Sequence, residues 1–151
     1  MSAALGEAAR QAIEHACERL VLRSIRAFDE RDWKGYAALF TPDGLFIRAN
    51  APDAPLTGRE AILAALAARP AARLTRHLCT NIEIDVLDAE HAAARCYLLL
   101  YAGDASTPAG AGGRPAEPPQ RIGEYHDELT LTAQGWRIRR REGRLVLYAG
   151  L

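Results

Sequence analysis

The apolar residues near the start of the chain recur every three or four positions, which is the period of an amphipathic α-helix. They are Ala9, Ile13, Ala16, Cys17, Leu20, Leu22, Ile25 and Phe28. The pattern predicts one long helix from about Gly6 to Asp29. A shorter second helix is predicted from Asp32 to Leu39, with Asp32 as its N-cap and the turn residues Thr41-Pro42-Asp43-Gly44 after it.

The rest of the chain predicts one more helix and a set of strands. Residues 45–47 are apolar and predict a short strand, and a third helix is predicted from Thr57 to Pro70, with Thr57 and Glu60 spaced as a capping box. Adjacent extended runs joined by short turns then predict an antiparallel meander. These runs are Leu74–Val86, His91–Tyr101, Arg121–Leu131 and Trp136–Tyr148.

Segment 103–120 is rich in Gly, Pro and Ala, so we expect a long flexible hairpin loop there. Three helices followed by a sheet predict an α+β fold that occupies residues 1–151 as a single domain. We expect the N-terminal helices to pack on a strongly curved antiparallel sheet, because long twisted strands allow such curvature. Together the two layers would form a cone-shaped barrel that encloses a pocket for a small, largely apolar molecule.

Charge and cysteine content exclude several classes of protein. Basic and acidic residues balance at 19 each, which disfavours nucleic acid or an anionic membrane as the partner. The arginines of 137–144 are the one basic cluster, and strand alternation sends neighbouring ones to opposite faces. Cys17, Cys79 and Cys96 show neither a disulfide framework nor zinc-ligand spacing. We therefore expect a small-molecule substrate, with no nucleic acid, no membrane and no metal.

The first twenty residues carry charges throughout and lack the apolar centre of a signal peptide, and no apolar run is long enough to span a membrane. The common motifs for phosphate, dinucleotide, serine-hydrolase and zinc-protease chemistry are missing from the sequence. We expect a cytoplasmic protein that works without a cofactor.

Alternation along residues 73–86 predicts that Thr75, His77, Cys79 and Asn81 share one face of their strand. His77 is either a structural histidine or an acid/base group, since a pKa of about 6.5 suits proton transfer at neutral pH. Asp29 stands at the C-terminal end of the first helix, where the helix dipole disfavours a carboxylate. It belongs either to a solvated turn or to a pocket, where it would pair with an imidazole.

A second polar cluster lies in the third long strand. Tyr125 and Asp127 share a face with Leu129 and Leu131, so we expect this pair to point inward, with Tyr125 donating a hydrogen bond to a substrate oxygen. The alternative is an ordinary surface pair. Tyr97 alternates with Leu99 and is either a core aromatic or a pocket residue.

Several short segments, in this order, resemble the SnoaL-like branch of the nuclear transport factor 2-like superfamily. They are Phe28-Asp29-Glu30-Arg31-Asp32-Trp33, Tyr36 to Gly44, Gly58 to Ile62, Thr75 to Asn81, Tyr125 to Glu128 and Gly135 to Ile138. The resemblance implies an α+β cone that commonly pairs through its sheet as a homodimer.

The first segment is similar to the scytalone dehydratase pattern, in which the residues matching Asp29 and His77 orient water and move protons. Phe28 stands where that family has a tyrosine, and Tyr97 or its neighbour where it has a second histidine. The resemblance implies a cofactor-independent lyase or isomerase, of dehydratase or cyclase type, that acts on a cyclic or polyketide-like metabolite. Asp29 and His77 would be catalytic. Candidate substrate contacts are Tyr125, Asn81, Asp127, Tyr97 and Trp33.

The segment Arg76-His77-Leu78-Cys79-Thr80-Asn81 also looks like the small subunits of ring-hydroxylating dioxygenases. In those subunits it serves structure and assembly. The alternative function is therefore a non-catalytic ligand-binding or accessory subunit.

Overall fold

The first helix, α1, runs from Glu7 to Asp29, as its apolar period predicts, and its apolar stripe supplies much of the core. The structure is a computed structural model and describes residues 5–150. The helix ends in a Schellman motif, because the N–H of Asp32 donates to the carbonyl of Ala27 at 2.9 Å and that of Arg31 to Phe28 at 3.1 Å. Arg31 takes the left-handed position of this motif, with φ of 60°. The chain thereby turns sharply just after Asp29.

Two short helices follow. Helix α2 spans Trp33–Ala38, and the predicted cap is confirmed, since the Asp32 carboxylate accepts a hydrogen bond from the N–H of Gly35 at 2.8 Å. Helix α3 spans Arg59–Ala67. Its predicted capping box is wrong: Gly58, with φ of 88°, is the N-cap, and no side chain caps the helix. Thr57 cannot cap it because Thr57 ends a strand.

Within residues 5–150, one six-stranded sheet contains all the strands, in the order β2-β1-β6-β5-β4-β3. Its strands are β1 (Phe40–Arg48), β2 (Ala51–Thr57), β3 (Arg73–Val86), β4 (His91–Asp104), β5 (Glu117–Thr132) and β6 (Gly135–Ala149). The predicted meander is confirmed as β3 to β6. The short strand predicted at residues 45–47 is part of β1, which runs parallel to β6 and adds a strand to the sheet beside the end of the meander.

Two sequence predictions about the connections need correction, and one strand was not predicted. Residues Thr41–Gly44, predicted as a turn, lie within β1 at the point where its register with β6 shifts. Strand β2 was not predicted, because Pro52 and Pro55 disfavour strands, yet an edge strand such as β2 tolerates them. The loop predicted over 103–120 is shorter, since β4 continues to Asp104 and β5 begins at Glu117.

The sheet curls around the helices without closing. Its concave face and α1 enclose the core, whose most buried large side chains include Tyr36, Phe40, Ile62, Leu129 and Ile138. Among the described residues, no helix is long and apolar enough to cross a membrane.

Two β-bulges change which side chains enter this interior. In β3, an extra residue between Thr80 and Glu83 breaks the pairing with β4, and Asn81 there has φ of 52°. In β6, Arg139 is the extra residue opposite the Glu128–Leu129 step of β5. Each bulge reverses the inward and outward alternation beyond it, because the side-chain period of a strand is two.

Candidate active site

Asp29 and His77 meet where the end of α1 crosses the start of β3. His77 Nδ1 lies 2.6 Å from Asp29 Oδ1, and the backbone N–H of His77 donates to Asp29 Oδ2 at 2.8 Å. The Thr75 hydroxyl donates to Asp29 Oδ1 at 2.9 Å. The side chains of His77 and Asp29 are only 9% and 10% exposed. The structure therefore brings together the two residues that the sequence proposed as partners.

The contacts fix the charge on Asp29 and the orientation of the imidazole. Burial alone would raise the pKa of Asp29, but hydrogen bonds from His77 and Thr75, with the charge on His77, hold that pKa below its ordinary value. The Asp29 carboxylate can only accept a hydrogen bond, so in the neutral imidazole the proton is on Nδ1. Nε2 then carries the lone pair. Within residues 5–150, Nε2 of His77 has no hydrogen-bond partner. It is thus free to accept a proton.

Phe28 links the dyad to the rest of the site. Its ring packs edge-on against those of His77 at 5.2 Å, Trp33 at 5.2 Å and Tyr36 at 5.4 Å. Trp33, a predicted substrate contact, is half-buried and lies under the guanidinium of Arg31 at 5.1 Å. From the sequence, Phe28 was expected to be an apolar position of the first helix, and it stands where the scytalone dehydratase pattern has a tyrosine. Here it forms an apolar wall beside the imidazole.

A buried charge network lies behind this wall. Arg141, with no exposed surface, donates from Nε and Nη2 to the two carboxylate oxygens of Asp127 at 2.9 and 2.6 Å. It also donates from Nη1 to the Ser24 hydroxyl at 2.8 Å, and its guanidinium lies 4.2 Å from the ring centre of Tyr125. Burial alone would lower the pKa of Arg141, but the charge of Asp127 holds it well above its ordinary value.

Tyr125 points inward, as the sequence predicts. The side chain is half-buried, and burial raises the pKa of its hydroxyl. Among the described residues its hydroxyl has no hydrogen-bond partner. Gly143, opposite it in β6, makes room for the ring, since a Cβ there would lie 3.2 Å from Tyr125 Cε1. Tyr125 can therefore donate to a ligand.

Three predicted substrate contacts are placed elsewhere. Asn81 is exposed, because the bulge in β3 turns it away from the face of His77. Tyr97 is 52% exposed on the outer face of β4, because the inward positions on either side belong to Cys96 and Leu98. Asp127 points inward but its carboxylate is 1% exposed and fully engaged with Arg141. It holds an arginine rather than a substrate.

Arg141 is the residue that sequence reasoning missed. Simple alternation from the buried Ile138 would place Arg140 inward, but the extra residue at Arg139 turns Arg141 to the interior instead. No local signal marks which of the neighbouring arginines is buried. The facing carboxylate of Asp127, directly opposite Arg141, decides it.

The structure also has a groove that lies apart from the dyad. This groove of about 560 Å³ runs between α1 and β3, and its lining includes neither Asp29 nor His77. Four of its lining side chains are acidic: Glu14, Glu18, Glu83 and Asp85. No cluster of three or more potential metal ligands is found within residues 5–150.

Residues 9–142 match the SnoaL-like domain, and the chain therefore belongs to the SnoaL-like family. Solved structures share the fold. A candidate scytalone dehydratase from Novosphingobium aromaticivorans is 24% identical, with a TM-score of 0.80 over 97% of this chain and 92% of that one. A type 2 hexachlorocyclohexane dehydrochlorinase is 16% identical, with a TM-score of 0.78 over 97% and 93% of the two chains.

A protein from Catenulispora acidiphila, whose structure holds S-DNPA, is 27% identical, with a TM-score of 0.68 over 89% of this chain and 94% of that one. None of the curated proteins matches this chain. The names of the similar structures include a dehydratase and a dehydrochlorinase, and the shared feature established for this chain is the fold.

Proposed function

We propose that this protein is a cofactor-independent lyase or isomerase in which His77 is the general base and Asp29 its orienting partner. The observation that carries the proposal is the 2.6 Å contact between His77 Nδ1 and Asp29 in a nearly buried site, with Nε2 unpartnered among the described residues. Asp29 fixes the ring and stabilises the imidazolium that forms when Nε2 takes a proton.

The reaction class follows from what this arrangement can do. Nε2 removes a proton from a carbon next to a carbonyl group, and the electron pair left on that carbon either expels a leaving group or is reprotonated elsewhere. Loss of water gives a dehydratase, and reprotonation gives an isomerase. Tyr125 would donate a hydrogen bond to the oxygen that becomes negative. The similar structures named for a dehydratase and a dehydrochlorinase support an elimination.

The test measures proton removal without assuming a leaving group. The protein is incubated in D₂O with a panel of cyclic ketones and β-hydroxy ketones, and NMR follows deuterium exchange at the carbon beside the carbonyl. We expect His77→Ala to lower the catalysed exchange about 10²- to 10⁴-fold, which is the usual contribution of a general base. Asp29→Asn should lower it as well, because the ring loses its orientation.

His91 provides a matched control. Its Nδ1 lies 2.9 Å from Asp88, so it forms the same kind of pair, but the two side chains are 53% and 54% exposed. His91→Ala should leave exchange unchanged. Full exchange activity in His77→Ala, with the folded state verified by circular dichroism, would contradict the proposal. A purely ligand-binding subunit would instead bind members of the panel and exchange none of them.

A further inference from the structure

One side of the candidate active site carries an arginine that lacks a counter-charge. Arg69 lies between α3 and β3, and its guanidinium carbon is 5.1 Å from the ring centre of Phe28. The same ring packs 5.2 Å from His77. Arg69 and the imidazole therefore both pack against the same phenyl ring.

The side chain of Arg69 has no polar partner among the described residues. Its Nε is buried and makes no hydrogen bond, and no carboxylate within residues 5–150 forms an ion pair with it. Two other arginines differ from it: Arg73 pairs with Glu117 at 2.9 Å, and Arg141 pairs with Asp127. Arg48 resembles Arg69, because its Nε is also buried without a partner and its Nη2 reaches only the carbonyl of Ala54, at 3.4 Å.

The surroundings of Arg69 are positively charged. Burial lowers its pKa, and the charges of Arg73, Arg31 and Arg48 lower it further. Arg31 is held in this group by hydrogen bonds from its guanidinium to the carbonyls of Arg73 and Arg69. A partly buried cation surrounded by like charges is unfavourable unless an anion compensates it. The described residues do not supply that anion, and a ligand can.

We propose that Arg69 binds an anionic group of the substrate, a carboxylate or an ionised enol, while the adjoining carbon skeleton packs on Phe28 beside His77. The inference rests on the proposed function and narrows its substrate class from an uncharged apolar molecule to an organic anion. Guanidinium groups suit this task because their donors match a carboxylate in a fixed, forked geometry.

The probes are 2-naphthoate and its neutral analogue 2-naphthamide, which have similar size and shape and differ in charge. Isothermal titration calorimetry should show that the wild-type protein binds naphthoate at least about tenfold more tightly than naphthamide. The reason is that hydrogen bonds between charged groups are stronger than those between neutral groups. Arg69→Gln should remove this preference by weakening naphthoate binding about tenfold, with little effect on naphthamide. Arg69→Lys should retain part of it.

Arg26→Gln is the matched control. It removes the same charge from the last turn of α1, where Arg26 is 78% exposed and pairs only with Glu30, so the naphthoate preference should persist. The thermal midpoint distinguishes binding from structure. Arg69→Gln should unfold at the wild-type temperature or above it, because it removes an uncompensated charge. If the role of Arg69 were only structural, this variant would unfold at a lower temperature and would bind both probes more weakly.

Equal affinity of the wild-type protein for the two probes would overturn the inference, and so would no naphthoate binding at all or an undiminished preference in Arg69→Gln. His77→Ala separates this result from the proposed function. That variant should keep the naphthoate preference while losing proton exchange. If exchange proves independent of His77 and the preference still depends on Arg69, the anion site stands and the catalytic assignment fails.

Discussion

Replacing Asp127 by asparagine tests the buried charge network most directly. Asp127 and Arg141 are 1% and 0% exposed at their side chains, and both carboxylate oxygens accept hydrogen bonds from the guanidinium. Asp127→Asn preserves shape but removes the charge. It leaves Arg141 buried with only neutral partners, the hydroxyls of Ser24 and Tyr36 and the ring of Tyr125.

The size of the effect follows from that loss of compensation. Breaking a buried ion pair by removing one charge costs about 3–5 kcal/mol, and the asparagine oxygen can still accept one hydrogen bond, so we expect the lower end, about 3 kcal/mol. For a domain of this size, each kcal/mol shifts the thermal midpoint by about 2–4 °C, so the expected fall is roughly 6–12 °C.

Urea unfolding, followed by circular dichroism and by tryptophan fluorescence, measures the free energy of unfolding and tests whether the transition is two-state. The double variant Asp127→Leu with Arg141→Met should recover most of the loss, because apolar residues of similar volume replace buried ion pairs at little cost. A loss below about 1 kcal/mol in Asp127→Asn, or a double variant no more stable than the single one, would refute the reasoning.

Two further predictions concern acid stability and assembly. Because the folded state holds the pKa of Asp29 below its ordinary 3.8, its contribution to stability is complete above that value and is lost as the pH falls through the lower, folded-state pKa. Urea unfolding should therefore give the wild type a higher free energy of unfolding than Asp29→Asn at about pH 5. At about pH 2 the two free energies should be much closer. A difference between them that does not change with pH would contradict this prediction. We also propose that the outer sheet face, where Leu78 and Tyr97 are 53% and 52% exposed, pairs with a second copy of the chain. Light scattering should then show a dimer for the wild type and a monomer for Tyr97→Glu, whereas a monomeric wild type would disprove the pairing.

The sequence predicted the main elements because their signals are local. The apolar period of α1 and the cap at Asp32 depend on residues within a few positions of each other, and both are found in the structure. The contact between Asp29 and His77 could also be proposed from the sequence. The helix dipole disfavours a carboxylate at the position of Asp29, and strand alternation turns His77 inward, so a contact between the two would stabilise both.

The errors arose where the structure depends on pairing between distant segments. Asn81 was misplaced and Arg141 was missed because a bulge in each strand reverses alternation, and a bulge is set by the neighbouring strand rather than by its own residues. Thr57 failed as a cap because it pairs with Leu45 in β1. Strand β2 was not predicted. Its prolines are tolerated only at the edge of a sheet, and the topology of the sheet, rather than the local sequence, determines that β2 is an edge strand.

The amino-acid sequence by itself therefore determined the helices, the long strands, the resemblance to the SnoaL-like family and the choice of Asp29 and His77 as the pair proposed to move a proton. Only the tertiary structure decided which charged side chains are buried and which of them are compensated. Arg141 is neutralised by a carboxylate opposite it in the sheet, whereas Arg69 packs on Phe28 beside the dyad with no such partner among the described residues. The physical reason is that compensation of charge depends on distances between segments far apart in the chain, which no local spacing records.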